Sequence, residues 1–362
     1  MTRPIIHVVC GVGGAGKTTT AAALGVAAAR QGRRAVVLTI DPARRLADAL
    51  GIPHLGNEPA PVEVPGTPEG GALEALMLDR KATWDDLVRE HATDTETVER
   101  LLSNRYYEAV STRLTGGHEW MAIEKLHRLV AAGRWDVIVV DTPPAQHALD
   151  FLDAPERIGR MLDGRLIRSV LRPARGLLGM ATRRVVDVVR RLAGDAVLAD
   201  LEEFFRLVGG LSDGFRARGA AMQTALADRS TRYWLVAPAD GPRTEELVAF
   251  QRALREHGSG LAGLLLNRFI PPLATDRGTL SGLVPDTAPR GISAEAWSDS
   301  ARWLRDRVAD RARRAERHAG TRDAVGHALG VSPLPIPEVE QGIRDVHGLV
   351  ALTWSLPDPT AG

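Results

Sequence analysis

Along the chain, short runs of β-branched and other apolar residues alternate with longer stretches whose apolar positions recur at helical spacing. Ile5–Cys10 is the first such run, closed by glycines, and predicts a buried strand. Lys17–Arg30 is rich in alanine and predicts a helix. Arg34–Thr39 predicts a second buried strand. Residues 56–71 hold too much proline and glycine for either element and predict a loop. Leu73–Leu78 fits a third strand. Thr83–Ala132 is mostly helical in pattern, with breaks near Ser103 and Gly116–Gly117, and Val137–Val140 is a strand that ends at Asp141. Residues 150–229 form a long helical stretch interrupted by Pro173 and several glycines. Alternation then resumes with a strand at Tyr233–Ala237, a helix at Thr244–Glu256 and a strand at Leu261–Leu266. Residues 271–292 predict an irregular loop and Ser293–Ala319 a charged helix with a solvated outer face. A strand near Val331 and a helix from Glu338 complete the pattern.

Strands that alternate with helices predict an α/β fold: a mostly parallel sheet with helices on both faces. The stretch at 150–229 is too long for a single crossover. The expected organisation is therefore one domain over 1–362 with helical insertions at about 83–132 and 150–229. No internal repeat or low-complexity tail is visible.

Composition narrows the partners. The chain has 362 residues, 44% of them hydrophobic, enough for a large core. Its net charge of +1 gives no global field toward nucleic acid or membrane. Lys17, Lys81 and Lys125 are the only lysines, so a retained lysine is informative. Cys10 is the only cysteine, which rules out internal disulfides and thiolate clusters and fits a reducing cytosol. It reads as a small buried apolar residue. No signal-peptide layout precedes Ile5 and no apolar run is long enough for a membrane span. The expected location is the cytoplasm.

Between the first strand and the first helix lies Gly11-Val12-Gly13-Gly14-Ala15-Gly16-Lys17-Thr18, which fits G-x-x-x-x-G-K-[ST]. Glycines let the backbone curl so that its N–H groups point at phosphate oxygens, and the following helix adds its positive end. In such a P-loop NTPase core the lysine, Lys17, bridges the β- and γ-phosphates of ATP, and the Thr18 hydroxyl ligates Mg²⁺. Thr19 can donate to the α-phosphate. Gly13, Gly14, Ala15 and Gly16 supply the cradle.

The glycine-doubled form Gly-Gly-Ala-Gly-Lys-Thr-Thr resembles the deviant loop of the dimeric ATPases that include MinD, ParA and ArsA. Thr39-Ile-Asp41-Pro-Ala-Arg-Arg-Leu-Ala-Asp48 resembles the switch I segment of the ArsA/guided-entry ATPase family. Asp136–Leu152, with Asp141-Thr-Pro143-Pro144 and His147, resembles its switch II. Asn267-Arg268 after a strand resembles its adenine-reading position, and Pro333–Glu338, including Pro335, its adenine-side loop. The stretch Tyr106–Leu126, with Glu119 and Glu124, is also similar. The resemblance implies that Asp41 positions or activates the attacking water, the alternative being a helix cap before Ala43–Leu50. It implies that Asp141 holds Mg²⁺ through water, against an ordinary turn aspartate. It implies that Thr142–Pro144 sense the γ-phosphate, with His147 either part of that switch or a helix-surface histidine.

Two positions depart from the family. Its loop begins with a second lysine that reaches across a dimer to the partner's nucleotide; here that place is Val12. Three readings follow: pairing with a paralogue that keeps the lysine, which is preferred, replacement by an arginine such as Arg44 or Arg45, or poor hydrolysis with action by binding. With Cys10 alone, arsenite transport and an intersubunit zinc are not expected. Residues 151–193 hold ten arginines against Asp153, Glu156, Asp163 and Asp187, interleaved with Leu162, Leu166 and Val170 and with Ile167 and Leu171. This basic amphipathic pattern fits subdomain packing or a dimer interface; the alternative is a groove for a hydrophobic or membrane-protein client or an anionic lipid surface.

The reading is a cytoplasmic ATPase, in contact with a membrane at most peripherally, that uses ATP and Mg²⁺ in a homo- or heterodimer to drive a targeting or chaperone-type cycle. The alternative is a weakly hydrolytic regulatory subunit paired with a lysine-bearing paralogue. A ParA- or MinD-like positioning role fits switch I and the insertion less well.

Overall fold

The computed structural model describes residues 3–92, 94–104, 106–108, 111, 117–143, 214, 217–272, 284–285, 287–339 and 342–360. The basic amphipathic stretch at 151–193, Pro144 and His147 lie outside these residues.

Among the described residues, eight strands form one sheet: β1 (Ile5–Gly11), β2 (Arg34–Thr39), β3 (Ala60–Val62), β4 (Ala72–Met77), β5 (Val137–Asp141), β6 (Thr231–Pro238), β7 (Leu261–Phe269) and β8 (Leu334–Pro337). Their order is β3-β4-β2-β5-β1-β6-β7-β8. Every pairing is parallel except β3 with β4. The fold is α/β, as the alternating pattern predicts. β2 and β5 are buried at nearly every position, so both faces of the sheet are covered, as a parallel sheet requires. β1 lies mid-sheet, with β5 on one side and β6 on the other. The strand order reverses there, and in such sheets ligands bind at the carboxyl ends of the strands flanking that point.

Helix α1 (Lys17–Arg30) packs on β2 and β5. Its Ala21–Ala23 and Ala27–Ala29 are buried, and these small side chains let the helix approach the sheet closely. After α2 (Arg45–Leu50), α3 (Arg80–His91) and α4 (Thr95–Leu102) come before α5 (Gly117–Ala132). Asp79 and Asp94 cap α3 and α4 by accepting from Ala82 and Thr97 N–H groups. Helix α6 (Thr244–Glu256) joins β6 to β7. Residues 217–227 are helical, within the expected insertion.

Four sequence expectations change. β3 lies inside the expected loop at 56–71 as a three-residue edge strand that includes Pro61, a place where proline is tolerated. Helix α7 (Ala294–Leu329) runs 36 residues, beyond the expected end at Ala319. Gly320 does not stop it, because α7 packs against α6 and β7 with His318, Val325 and Leu329 buried. Burial there outweighs the helix cost of one glycine, about 1 kcal/mol. The last strand is Leu334–Pro337, with Pro335 paired to Leu266. The last helix, α8 (Val346–Leu352), starts after Asp345, whose Oδ1 accepts from Gly348 N–H, rather than at Glu338. Glu338 instead pairs with Arg314 and donates its N–H to Phe269 O at the sheet edge.

Candidate functional site

The loop between β1 and α1 is shaped by two glycines. A Cβ at Gly11 would lie 2.1 Å from Val236 O, so only glycine lets β1 end against β6 there. Gly16 has φ +96°, and its Cβ would lie 2.1 Å from Asn267 Nδ2. Asn267, at the end of β7, donates from Nδ2 to Ala15 O at 2.7 Å. Nothing in the local sequence ties residue 267 to residue 15; the sheet order does.

Lys17 is nearly buried, and its Nζ donates to Val12 O at 3.3 Å. Burial lowers its pKa, while Asp141 and Asp41 pull it back up. Gly14, Gly16, Lys17, Thr18 and Thr19 line a cavity of about 810 Å³, within the size range of small-molecule sites. Asp41, Arg45 and Thr142 close it from the segments that follow β2 and β5, and Ile343 and Arg344 from the segment before α8. Gly13 is exposed and Ala15 buried beside this lining. Asn267 and Pro335 stand outside it: Asn267 holds the loop from behind, and Pro335 is exposed on β8.

Thr39 and Asp141 are register partners at the ends of β2 and β5. Asp141 is fully buried, and desolvation pushes its pKa up to about 6 against the opposing pull of Thr18, Thr39 and Lys17. The Thr39 hydroxyl donates to Oδ2 at 2.9 Å, while Oδ1 is buried with no hydrogen bond among the described residues. Thr142, also buried, donates its hydroxyl to Val9 O at 2.9 Å and anchors the start of the segment that follows β5. Pro143 follows, half-buried.

Asp41 is not a helix cap: Arg44 holds the cap position of α2. Its Oδ1 accepts from Ala43 N–H at 3.0 Å, and its Oδ2 lies 2.9 Å from Arg45 Nη1. A second hollow of about 840 Å³ opens on the other side of Asp41, lined by Arg45, His118, Glu119 and Pro143 among others. His118 Nε2 donates to Ile40 O at 2.6 Å, tying the first turn of α5 to the residue before Asp41. Of the two similar carboxylates on α5, Glu119 lines this hollow. Glu124 does not: it is buried against Arg218 at 2.9 Å. His118, Ile343 and Arg344 were not singled out from the sequence. Position 118 is signalled only by its neighbour Glu119, and residues 343–344 by nothing.

The sequence model of the anion-transporting ATPase family, ArsA ATPase, matches residues 5–212. An uncharacterized protein of Streptomyces coelicolor is 33% identical over 296 residues, 75% of this chain and 67% of its own. An ATPase GET3 of Malassezia globosa is 24% identical over 189 residues, 51% of this chain and 54% of its own. An ATPase ASNA1 homolog of Entamoeba dispar is 29% identical over 155 residues, 42% of this chain and 46% of its own. The chain thus spans about half the length of these two ATPases. With a family match across more than half its residues, this chain belongs to the anion-transporting ATPase family.

Proposed function

We propose that the chain binds and hydrolyses Mg·ATP, and that its two switch segments convert this into a dimer-based cycle that takes up and releases a client. The observation that carries the reading is convergence: Lys17, Thr18, Asp41 and Thr142, from three separate segments, line one cavity. Lys17 would grip the β- and γ-phosphates, Thr19 the α-phosphate, and Asp41 would accept a proton from the attacking water. Asn267 supports nucleotide binding by fixing the loop, and Pro335 would stand on the base side.

Magnesium fits the donors present. Asp141 has a buried Oδ1 without a hydrogen bond among the described residues, beside Thr18, and hard oxygens with room for water are what this ion takes. Thr18 would ligate it directly and Asp141 through water. When bound, the ion neutralises charge that builds on the β- and γ-phosphate oxygens. Pro143, and with it Pro144 and His147, would carry the switch into the insertion.

The client side of the reading is a hydrophobic or membrane-protein segment taken up by the basic insertion, without nucleic acid. Arsenite is not the cargo proposed, since Cys10 is buried in the core. Among the described residues no helix is long and apolar enough to cross a membrane, and the proposed location is cytoplasmic with peripheral membrane contact.

The test is Mg²⁺-dependent phosphate release by the purified full chain, its sedimentation with and without ATP, and capture of co-eluting protein on the ATP-trapped D41N variant. K17A abolishes phosphate release in this reading. Tight Mg·ATP binding without release, either alone or as a dimer, would favour the second reading, a regulatory subunit paired with a lysine-bearing paralogue. Val12 is the observation behind that alternative.

A further inference from the structure

The phosphate loop carries one cation. Where the family pattern has a second, this chain has Val12, whose side chain is 3% exposed and packed in the core. Its carbonyl is taken up by Lys17 Nζ. Its side chain offers a phosphate neither charge nor a donor.

We propose that Arg45 is the second cation of the phosphate site, supplied by the same chain rather than by a partner, and released from Asp41 when ATP binds. This rests on the Mg·ATP reading above. Arg45 opens α2 directly after the switch I loop, and its side chain is 66% exposed, free to reorient. It lines the cavity together with Lys17, Thr18 and Thr19. Arg44 does not line the cavity, and its guanidinium is bonded to Pro53 O.

The pairing of Arg45 with Asp41 explains how one arginine can do two things. A γ-phosphate carries more charge than a carboxylate and presents its oxygens in the geometry a guanidinium fork matches. The exposed Arg45–Asp41 pair is weakly held by comparison. ATP therefore draws the guanidinium off Asp41 Oδ2, and the freed carboxylate oxygen faces the attacking water. The water oxygen then bonds to the γ-phosphorus as the bond from that phosphorus to the β–γ bridging oxygen breaks. The electron pair leaves on ADP, and the water proton passes through Asp41 to solvent. An arginine supplied in the same chain is a known way to stabilise charge in this transfer.

The experiment uses the full chain as wild type, R45A, R45K and R44A, with Mg·ATP and Mg·ADP affinities measured by titration and turnover measured over a range of enzyme concentrations. Wild type turns over alone, with specific activity independent of enzyme concentration. R45A loses on the order of 10³-fold in kcat. Its ADP affinity is kept, which shows that it is folded, while its preference for ATP over ADP falls about tenfold. R45K keeps part of both, and R44A stays near wild type. The proposal is overturned if R45A keeps kcat within about threefold of wild type, or if R44A falls as far. It is also overturned if the wild type binds Mg·ATP but turns it over only with a lysine-bearing relative added. A wild type that fails to bind Mg·ATP sinks the nucleotide reading itself, a different result.

Discussion

The Thr39 hydroxyl donates to Asp141 Oδ2 at 2.9 Å, bridging the ends of β2 and β5, the strands that lead to Asp41 and Thr142. The bridge satisfies one carboxylate oxygen and leaves the other buried. Desolvation raises the Asp141 pKa to about 6. Because the folded value lies above the unfolded one, the folded state binds this proton more tightly. The associated stability is full below about pH 4 and is lost as pH rises through 6. Keeping the carboxylate charged at pH 8 thus costs about 3 kcal/mol. Asp141→Asn, which can still accept from Thr39, raises the melting temperature by several degrees at pH 8 without Mg²⁺ and hardly at all at pH 4. The same variant loses Mg²⁺-dependent turnover. Parallel melting curves at both pH values would rule out this account.

The contact between Gly16 and Asn267 predicts an asymmetric double-mutant cycle. Gly16→Ala drives a methyl into Asn267 Nδ2 and also places a side chain at φ +96°. Trimming Asn267 to alanine removes the clash but not the backbone strain, which is about 1–2 kcal/mol. G16A therefore loses nucleotide affinity and thermal stability, and G16A/N267A recovers part of both. N267A alone weakens nucleotide binding, because Ala15 O loses its partner. Full recovery in the double variant would show that the left-handed backbone costs nothing here.

Much of the core was legible in the sequence, and the reasons it was differ from element to element. Lys17–Arg30, Arg34–Thr39 and Thr244–Glu256 have the bounds their patterns predict, because composition, punctuation and burial agree there. Agreement fails where long-range packing decides. Gly320 reads as a helix stop, yet His318 two residues earlier accepts from Ile270 N–H at 3.0 Å and α7 continues. Pro333, Pro335 and Pro337 read as a loop, yet an edge strand needs only part of its N–H row. At the site, the Lys17 loop and the two aspartates are local motifs and could be read directly. Arg45 could be weighed only as one of two neighbouring arginines; the difference lies in Pro53 holding Arg44. Asn267 against Ala15 and Arg344 against the cavity depend on sheet order and on the path of the last segment, which carry no local signature.

His118 offers a test of how the segment carrying Asp41 is held. Its Nε2 reaches Ile40 O, the carbonyl directly before Asp41. Glutamine places an amide nitrogen at similar reach, whereas alanine leaves the carbonyl to water. A misplaced catalytic group can cost up to about 10²-fold in rate. His118→Ala is expected to lower kcat by about tenfold or more with little change in KM, and His118→Gln to restore most of it. Hydrogen exchange at residues 40–45 rises in the alanine variant alone. Equal kcat in both variants would remove His118 from the positioning of Asp41.

At the opposite end of β1, His7 makes the fold acid-sensitive for a separate reason. The imidazole is fully buried; Trp234 Nε1 donates to its Nδ1 at 2.9 Å, and its Nε2 donates to Pro359 O at 2.9 Å. That arrangement needs the neutral ring, since a proton on Nδ1 would face the indole N–H. Desolvation by burial lowers the pKa to about 4. The unfolded chain, with its ordinary value near 6.5, therefore binds this proton first. The stability of the neutral ring is present above about pH 6.5 and lost as pH falls toward 4, a loss of about 3 kcal/mol. His7→Gln cannot satisfy both partners, so it lowers the urea midpoint at pH 8 while flattening its decline between pH 6.5 and 4. Pro359 lies in the segment that follows α8, so the same variant raises hydrogen exchange at residues 356–360 at neutral pH. If the variant's urea midpoint fell with pH as steeply as the wild type's, some other buried group would have to carry the acid response.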